Sequence, residues 1–133
     1  MVGYSGTPLG KKLGWKPGLK VFLLDPPEGY ETWFEDECPD FSQSIQPGQP
    51  AAHLFCLSRE SMRQSLTTLR TTIAQDGFVW VSWPKKAAKI PTDIHDQVIR
   101  DVALPMGWVD VKVCAVDEIW SGLKLVIRKS ERI

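Results

Sequence analysis

Two short segments, residues 82–86 and 117–121, combine aromatic, cationic, carboxylate and hydroxyl side chains. Indole rings can stack on a planar group, ammonium groups attract anions, and carboxylates or hydroxyls fix polar groups by hydrogen bonding. This mixture is suited to a small anionic or aromatic ligand. The candidate ligand-binding residues are Ser82, Trp83, Lys85, Lys86, Asp117, Trp120 and Ser121.

Each candidate residue also has a purely structural explanation. A chain with six Trp must bury most of them, so Trp83 and Trp120 could pack beneath the loops. Lys85 and Lys86 could be solvated loop lysines, and Asp117 could accept hydrogen bonds from the amides of a turn. The sequence leaves both explanations open.

The sequence gives less support to a metal site, a catalytic nucleophile or a nucleotide-binding loop. The cysteines, Cys38, Cys56 and Cys114, show no C-x-x-C spacing, and the histidines, His53 and His95, have no companions at metal-ligand spacing. The chain also lacks a Gly-x-Ser-x-Gly elbow, a phosphate loop and a complete dinucleotide fingerprint. We therefore predict no metal, no cofactor and no catalytic residue, and expect a binding or regulatory module rather than an enzyme.

Composition restricts the partners. Sixteen Lys and Arg balance sixteen Asp and Glu in 133 residues, which argues against a dedicated nucleic-acid or membrane-surface binder. No apolar run approaches the roughly 20 residues of a membrane span, and the first twenty residues lack the apolar segment of a signal peptide. We expect a cytoplasmic protein with reduced thiols.

Charge is segregated along the chain. Residues 1–20 carry four Lys and no acid, whereas residues 25–40 carry seven acidic residues and no base. These stretches could be two solvated faces, or the acidic stretch could dock a basic protein partner. Binding that weakens steeply with salt would indicate the second alternative.

Apolar patterning predicts the elements that position the candidate residues. Met62, Leu66, Leu69 and Ile73 recur at helical spacing after Ser58, and Asp76-Gly77 ends this predicted helix. A shorter helix lies between Pro8 and Gly14, another follows Thr92 or Asp93 as its cap, and Phe41–Ile45 is a weak strand. The five main predicted strands are residues 19–24, 52–57, 78–82, 109–116 and 123–128.

The order of these elements predicts one sheet. Strand, helix and strand between residues 52 and 82 form a βαβ unit with parallel strands, and the short connection 117–122 makes the last pair an antiparallel hairpin. The carboxyl ends of the parallel strands then meet at one edge, where both candidate segments lie. We expect a single domain with an N-terminal arm and helix (1–16), a core (17–128) and a tail (129–133).

The element order over residues 17–128 resembles the Rossmann-like fold of S-adenosylmethionine-dependent methyltransferases. The string Asp76-Gly-Phe-Val-Trp-Val-Ser82 is similar to the corner that precedes that family's fifth strand. This resemblance implies a minimal α/β three-layer sandwich with a mostly parallel sheet that ends in an antiparallel hairpin. Relative to the family, about one strand and one helix are missing between Leu24 and Ala52.

The first loop departs from the family's pattern. That family has a glycine-rich loop there, whereas this chain has Asp25-Pro26-Pro27-Glu28-Gly29, whose prolines stiffen the backbone and remove two donors. We therefore expect that S-adenosylmethionine does not bind usefully. The alternative is a methyltransferase-like enzyme with a degenerate cofactor loop.

A second resemblance is to a bacterial domain family of unknown function. It rests on four strings, Gly3–Leu9, Val81–Lys86, Val109–Asp117 and Trp120–Arg128. This resemblance implies the same short fold and no particular activity.

Overall fold

Six strands form one sheet in the computed structural model, which describes residues 8–34 and 38–133. The strands are β1 (Lys20–Leu24), β2 (Asp40–Ser42), β3 (Gln49–Phe55), β4 (Ile73–Pro84), β5 (Trp108–Ala115) and β6 (Trp120–Ile127). The helices are α1 (Leu9–Leu13), α2 (Arg59–Thr72) and α3 (Asp96–Ala103). Short 3-10 turns span Tyr30–Trp33, Lys86–Ala88, Leu104–Met106 and Lys129–Glu131.

The strand order is β2-β1-β3-β4-β6-β5. Strands β2, β1, β3 and β4 pair with one another in parallel, whereas β6 is antiparallel to both β4 and β5. The predicted class, a mostly parallel sheet with a terminal antiparallel hairpin, is therefore confirmed. The weak strand predicted at 41–45 is the three-residue edge strand β2.

Side chains alternate between the two faces of the sheet because successive strand residues point in opposite directions. One face, the α2–α3 face, buries Phe22, Leu54, Val81 and Leu125 in one cluster with Met62, Leu66 and Ile99 of the helices. The other, the α1 face, buries Val21, Phe55 and Trp80 in one cluster with Leu13, Trp15 and Tyr30. Cover on both faces produces the predicted three layers.

The end of α2 differs from the prediction. The helix stops at Thr72, and Ile73 already belongs to β4, where it pairs with Gln49. Ile73 is buried in either conformation, so apolar periodicity could not separate the helix from the strand. Gly77 lies inside β4 rather than at a helix end. A glycine fits this position because neighbouring atoms leave no room for a Cβ.

The predicted cap is confirmed for α2 and wrong for α3. Ser58 caps α2 as predicted, its side chain accepting a hydrogen bond from the amide of Ser61 at 3.1 Å. The predicted cap residues of α3 lie outside that helix, which begins at Asp96. Asp93 instead accepts a hydrogen bond from the amide of Arg59 at 2.6 Å, so it stabilises the start of α2. No helix in residues 8–34 and 38–133 is long and apolar enough to cross a membrane.

Substitution of Gly77 by Ala tests the close packing at the start of β4. A Cβ there would lie 2.8 Å from the carbonyl oxygen of Pro50 and 2.7 Å from Cγ1 of Ile73. We expect Gly77→Ala to lower the free energy of unfolding by about 1–3 kcal/mol through overpacking. Urea denaturation measures this loss, with the exposed Ser130→Ala as control. A stability equal to that of the wild type would show that the backbone is not tightly packed there.

Candidate ligand site

The two candidate segments meet at the carboxyl edge of the sheet. Ser82, Trp83 and Pro84 at the end of β4 pair with Gly122, Ser121 and Trp120 at the start of β6. The amide of Lys85 donates a hydrogen bond to the carbonyl of Ile119 at 2.7 Å. The topology therefore brings both segments to one edge, whereas ligand binding there remains a prediction.

The two tryptophans lie on opposite faces of the sheet. Trp83 is 9% exposed and packs in the core of the α2–α3 face, and its cross-strand partner Ser121 shares that side. Trp120 packs against the α1-face core, its ring edge-on to Phe55 with centroids 5.0 Å apart. The two indoles therefore do not enclose one stacking cleft.

Two polar candidates are engaged in internal hydrogen bonds. The carboxylate of Asp117 accepts hydrogen bonds from the amides of Ile119 and Trp120 at 2.8 and 2.7 Å. Asp117 therefore has the structural role that the sequence offered as an alternative to ligand binding. Ser82 is completely buried, and its Oγ lies 2.7 Å from Nε2 of His53. Lys86 is exposed in the turn Lys86–Ala88, so the cationic part of the candidate site lies at the surface.

A buried polar chain that the sequence reasoning missed crosses the α1 face. Nε1 of Trp15 donates to the hydroxyl of Tyr30 at 3.3 Å, and that hydroxyl lies 2.7 Å from Nδ1 of His53. Nε2 of His53 then contacts Ser82 on the neighbouring strand β4. The signal in the sequence was a lone His inside the apolar run 52–57, since a buried imidazole requires hydrogen-bond partners.

The imidazole of His53, in the middle of these hydrogen bonds, is neutral. Burial lowers the pKa of His53 to about 3, and burial also raises the pKa of Tyr30 above its usual range. If the Tyr30 hydroxyl donates to Nδ1 of His53, the ring proton lies on Nε2. Nε2–H then donates to Oγ of Ser82. All four side chains of this hydrogen-bonded series, Trp15, Tyr30, His53 and Ser82, are buried, so the series holds strands and turns together and does not face solvent.

The loop that follows β1 contains two residues in the left-handed backbone conformation, and only one of them is a glycine. Asp25 has φ of 49° and Gly29 has φ of 76°, both in the left-handed region. Pro26 and Pro27 offer no N–H, and the amide of Tyr30 donates to the carbonyl of Pro27 at 3.1 Å. Burial, with a smaller contribution from the Asp25 carboxylate, raises the pKa of the nearby Cys56 thiol to about 12, which disfavours the thiolate form.

A cavity of about 410 Å³ lies beside β2, away from the candidate residues. Its polar lining includes Lys20, Asp40, Ser42, Ser44 and Gln49. Gln49 is buried and donates to the carbonyl of Lys20 at 3.0 Å, so its amide serves the packing of the loop before β3. Sequence patterning gave no signal for this cavity, since loop residues 43–48 form part of its wall.

The acidic stretch remains a predicted docking surface. Asp25, Glu28, Glu31 and Asp40 are exposed, and residues 35–37 lie outside the described residues. Exposure is compatible with a solvated face and with a basic partner alike. The two alternatives for this stretch therefore stay open.

Comparison with solved structures reveals similar folds at low sequence identity. A protein from Sulfolobus solfataricus assigned to the type 11 methyltransferases gives a TM-score of 0.64 at 12% identity, over 94% of this chain and 92% of that one. Aeropyrum pernix fibrillarin, solved with bound S-adenosyl-L-methionine, gives 0.58 at 10% identity, over 90% and 69%. An S-adenosylmethionine-dependent methyltransferase from Aquifex aeolicus gives 0.55 at 12% identity, over 88% and 86%.

These comparisons confirm the resemblance to the methyltransferase fold. No protein-family model matches the sequence, and no curated protein sequence matches it either. The resemblance to a bacterial domain family therefore receives no support from them. At these identities the likeness establishes the fold alone.

The buried His53 predicts a specific acid sensitivity. Its pKa is lowered in the folded state, so the unfolded chain binds a proton first and the free energy of unfolding falls as pH drops from about 6.5 toward 3. Between pH 7 and 5.5 we expect a loss of about 1 kcal/mol from this group. Urea denaturation at both pH values measures it.

The matched variants are His53→Gln and His95→Gln, the second residue being exposed. His53→Gln should flatten the dependence on pH in this range, whatever its effect on overall stability. His95→Gln should leave the dependence in place. The interpretation is wrong if His53→Gln keeps the full acid-dependent loss.

Proposed function

We propose that this protein is a ligand-binding member of the methyltransferase fold that does not use S-adenosylmethionine in the manner of those enzymes. The structural neighbours, which are methyltransferases, favour the alternative of a methyltransferase-like enzyme over a non-catalytic module, so the proposal depends on the residues of this chain's own first loop. The observation that carries the proposal is the loop after β1, where Asp25 takes a left-handed conformation and Pro26 and Pro27 offer no backbone N–H. The ligand is a small anionic or aromatic molecule.

The residues at the end of β1 do not fit the cofactor. In open α/β sheets a ligand lies against the carboxyl ends of the strands, and glycines let the backbone approach it. Here Asp25 adds a side chain at a left-handed position, and Pro26 and Pro27 supply rings instead of donors. This loop therefore lacks both the room and the N–H groups that the glycine-rich loop provides.

The element after the loop supports the same conclusion. β1 is followed by the four-residue 3-10 turn Tyr30–Trp33, which is too short to present the dipole of an α-helix to an anion. Tyr30 also turns inward and bonds His53, so its ring and hydroxyl are unavailable to a ligand. The carboxyl end of β1 is thus occupied by internal contacts.

The rest of the carboxyl edge offers apolar and cationic groups. Leu57, just after β3, is 48% exposed, and Ile119, in the β5–β6 turn, is 40% exposed. Trp120, the residue after Ile119, is half-buried, and Lys86 is exposed after β4. Aliphatic surface next to cations favours a ligand with a flat or apolar body and an anionic group.

The second candidate is a degenerate S-adenosylmethionine-dependent enzyme. Its specific support is Gly29, the last residue of the first loop, which keeps φ of 76° and has open space around it. A Cβ at Gly29 would meet only the hydroxyl of Thr32, at 3.6 Å. One glycine of the loop thus still allows a close approach.

Calorimetry with S-adenosylmethionine and S-adenosylhomocysteine separates the two candidates. We expect neither compound to bind with a dissociation constant below about 1 mM, because Pro26 and Pro27 remove two backbone donors and stiffen the loop. A methyltransferase known to bind both compounds serves as the positive control. Micromolar binding would overturn the proposal and favour the degenerate enzyme.

Titration with anilinonaphthalene sulfonate, a fluorescent aromatic anion, tests the carboxyl edge directly. We expect the folded protein to bind the probe, and Leu57→Ser and Ile119→Ser to weaken binding about tenfold by removing apolar contact area. The matched control is Val111→Ser on β5, since Val111 is 53% exposed and lies away from this edge. Absence of binding, or an equal loss in the control, would contradict the proposed site.

A further inference from the structure

Three lysines from three different elements meet on the α1 face of the sheet. Lys112 of β5 and Lys124 of β6 are direct cross-strand partners, so their side chains share one side. Nζ of Lys112 donates to the backbone carbonyl oxygen of Lys12, in α1, at 3.4 Å. Burial raises the pKa of the Cys114 thiol, whereas the positive charges of both Lys12 and Lys112 act to lower it, so the two ammonium groups lie near the same thiol. We call Lys12, Lys112 and Lys124 the lysine cluster.

The lysine cluster has no carboxylate to neutralise it. Among residues 8–34 and 38–133, none of its three ammonium groups forms an ion pair with Asp or Glu. Like charges directly opposite each other on neighbouring strands destabilise a sheet. Burial, and then the nearby Lys112, lower the pKa of Lys124, which is consistent with uncompensated positive charge.

The surface beneath the lysine cluster is aromatic and ordered. Nζ of Lys124 lies 4.5 Å from the centroid of the Phe78 ring, and that ring stacks on Trp15 with centroids 5.8 Å apart. Half-buried Cys114 contributes to the same core. A cation over a ring is fixed in position without losing its charge, so the ammonium groups stay available to an anion.

We propose that the lysine cluster is a binding site for an oligophosphate anion. An anion with several charges can bridge Lys112 and Lys124 and reach Lys12, which a single-charge anion cannot do at once. The formal charge of the whole chain is zero, so the protein lacks the excess of cationic charge that a dedicated binder of long polyanions carries. Because Lys124 already covers the Phe78 ring, we expect no additional affinity from a nucleoside.

This site is separate from the carboxyl edge. Lys124 pairs with Trp80 and Lys112, in the middle of β6, four residues beyond Trp120. Leu57→Ser and Ile119→Ser should therefore leave oligophosphate binding unchanged. Failure of one proposal can then be recognised without failure of the other.

Calorimetry with sodium tripolyphosphate at low ionic strength tests the lysine cluster. We expect Lys112→Gln and Lys124→Gln each to weaken binding about tenfold, and the exposed Lys129→Gln, in the last turn, to have no effect. Added sodium chloride should weaken binding to the wild type. Adenosine triphosphate, offered in a second series, should bind no more tightly than tripolyphosphate.

A charge reversal distinguishes binding from a general electrostatic effect. Lys112→Glu places an opposite charge across from Lys124, so we expect a higher urea midpoint together with loss of tripolyphosphate binding. The proposal is overturned if the wild type does not bind tripolyphosphate, or if Lys129→Gln weakens binding as much as the cluster variants. Tighter binding of a single-stranded oligonucleotide than of tripolyphosphate through the same lysines would also overturn it.

Discussion

The need to satisfy one imidazole inside the sheet constrains much of the α1 face. His53 sits on β3, between strands on both sides, and is completely removed from solvent. A buried polar group is tolerated only with hydrogen-bond partners, so Tyr30 and Ser82 must be held at its two ring nitrogens. Tyr30 in turn fixes the turn after β1, and Trp15 fixes the segment after α1 to the same point.

The fold could be predicted because its strongest signals are local. Apolar runs covered on both faces and one amphipathic helix between two of them specify a βαβ unit, and a short connection specifies the hairpin. The boundary at Ile73 could not be predicted, because a residue buried in helix and strand alike carries no information about which one it occupies. The partner of Asp93 was hidden for a different reason, since it caps a helix that begins 34 residues earlier.

The candidate site was predictable in its backbone and not in its side chains. Topology requires that the ends of β4 and β6 meet, but the register decides which side chains share a face. Pro84 is paired with Trp120, so Trp83 is one residue out of step with that indole and points to the other side. A shift of one residue would have placed both indoles together. The role of His53 depended equally on a long-range pairing, with Ser82 on the adjacent strand.

Under the proposed function, the loop after β1 keeps its order without a contact to S-adenosylmethionine. A bound ligand stabilises the folded state and orders the loops around it. Without that contribution, the order must come from internal interactions. Two prolines reduce the conformational entropy that the loop loses on folding, and the bond between Tyr30 and His53 anchors the turn that follows. Pro26, Pro27 and the bond between Tyr30 and His53 therefore give this segment local order of its own, so the buried imidazole of β3 also stabilises the chain that follows β1 at the carboxyl edge.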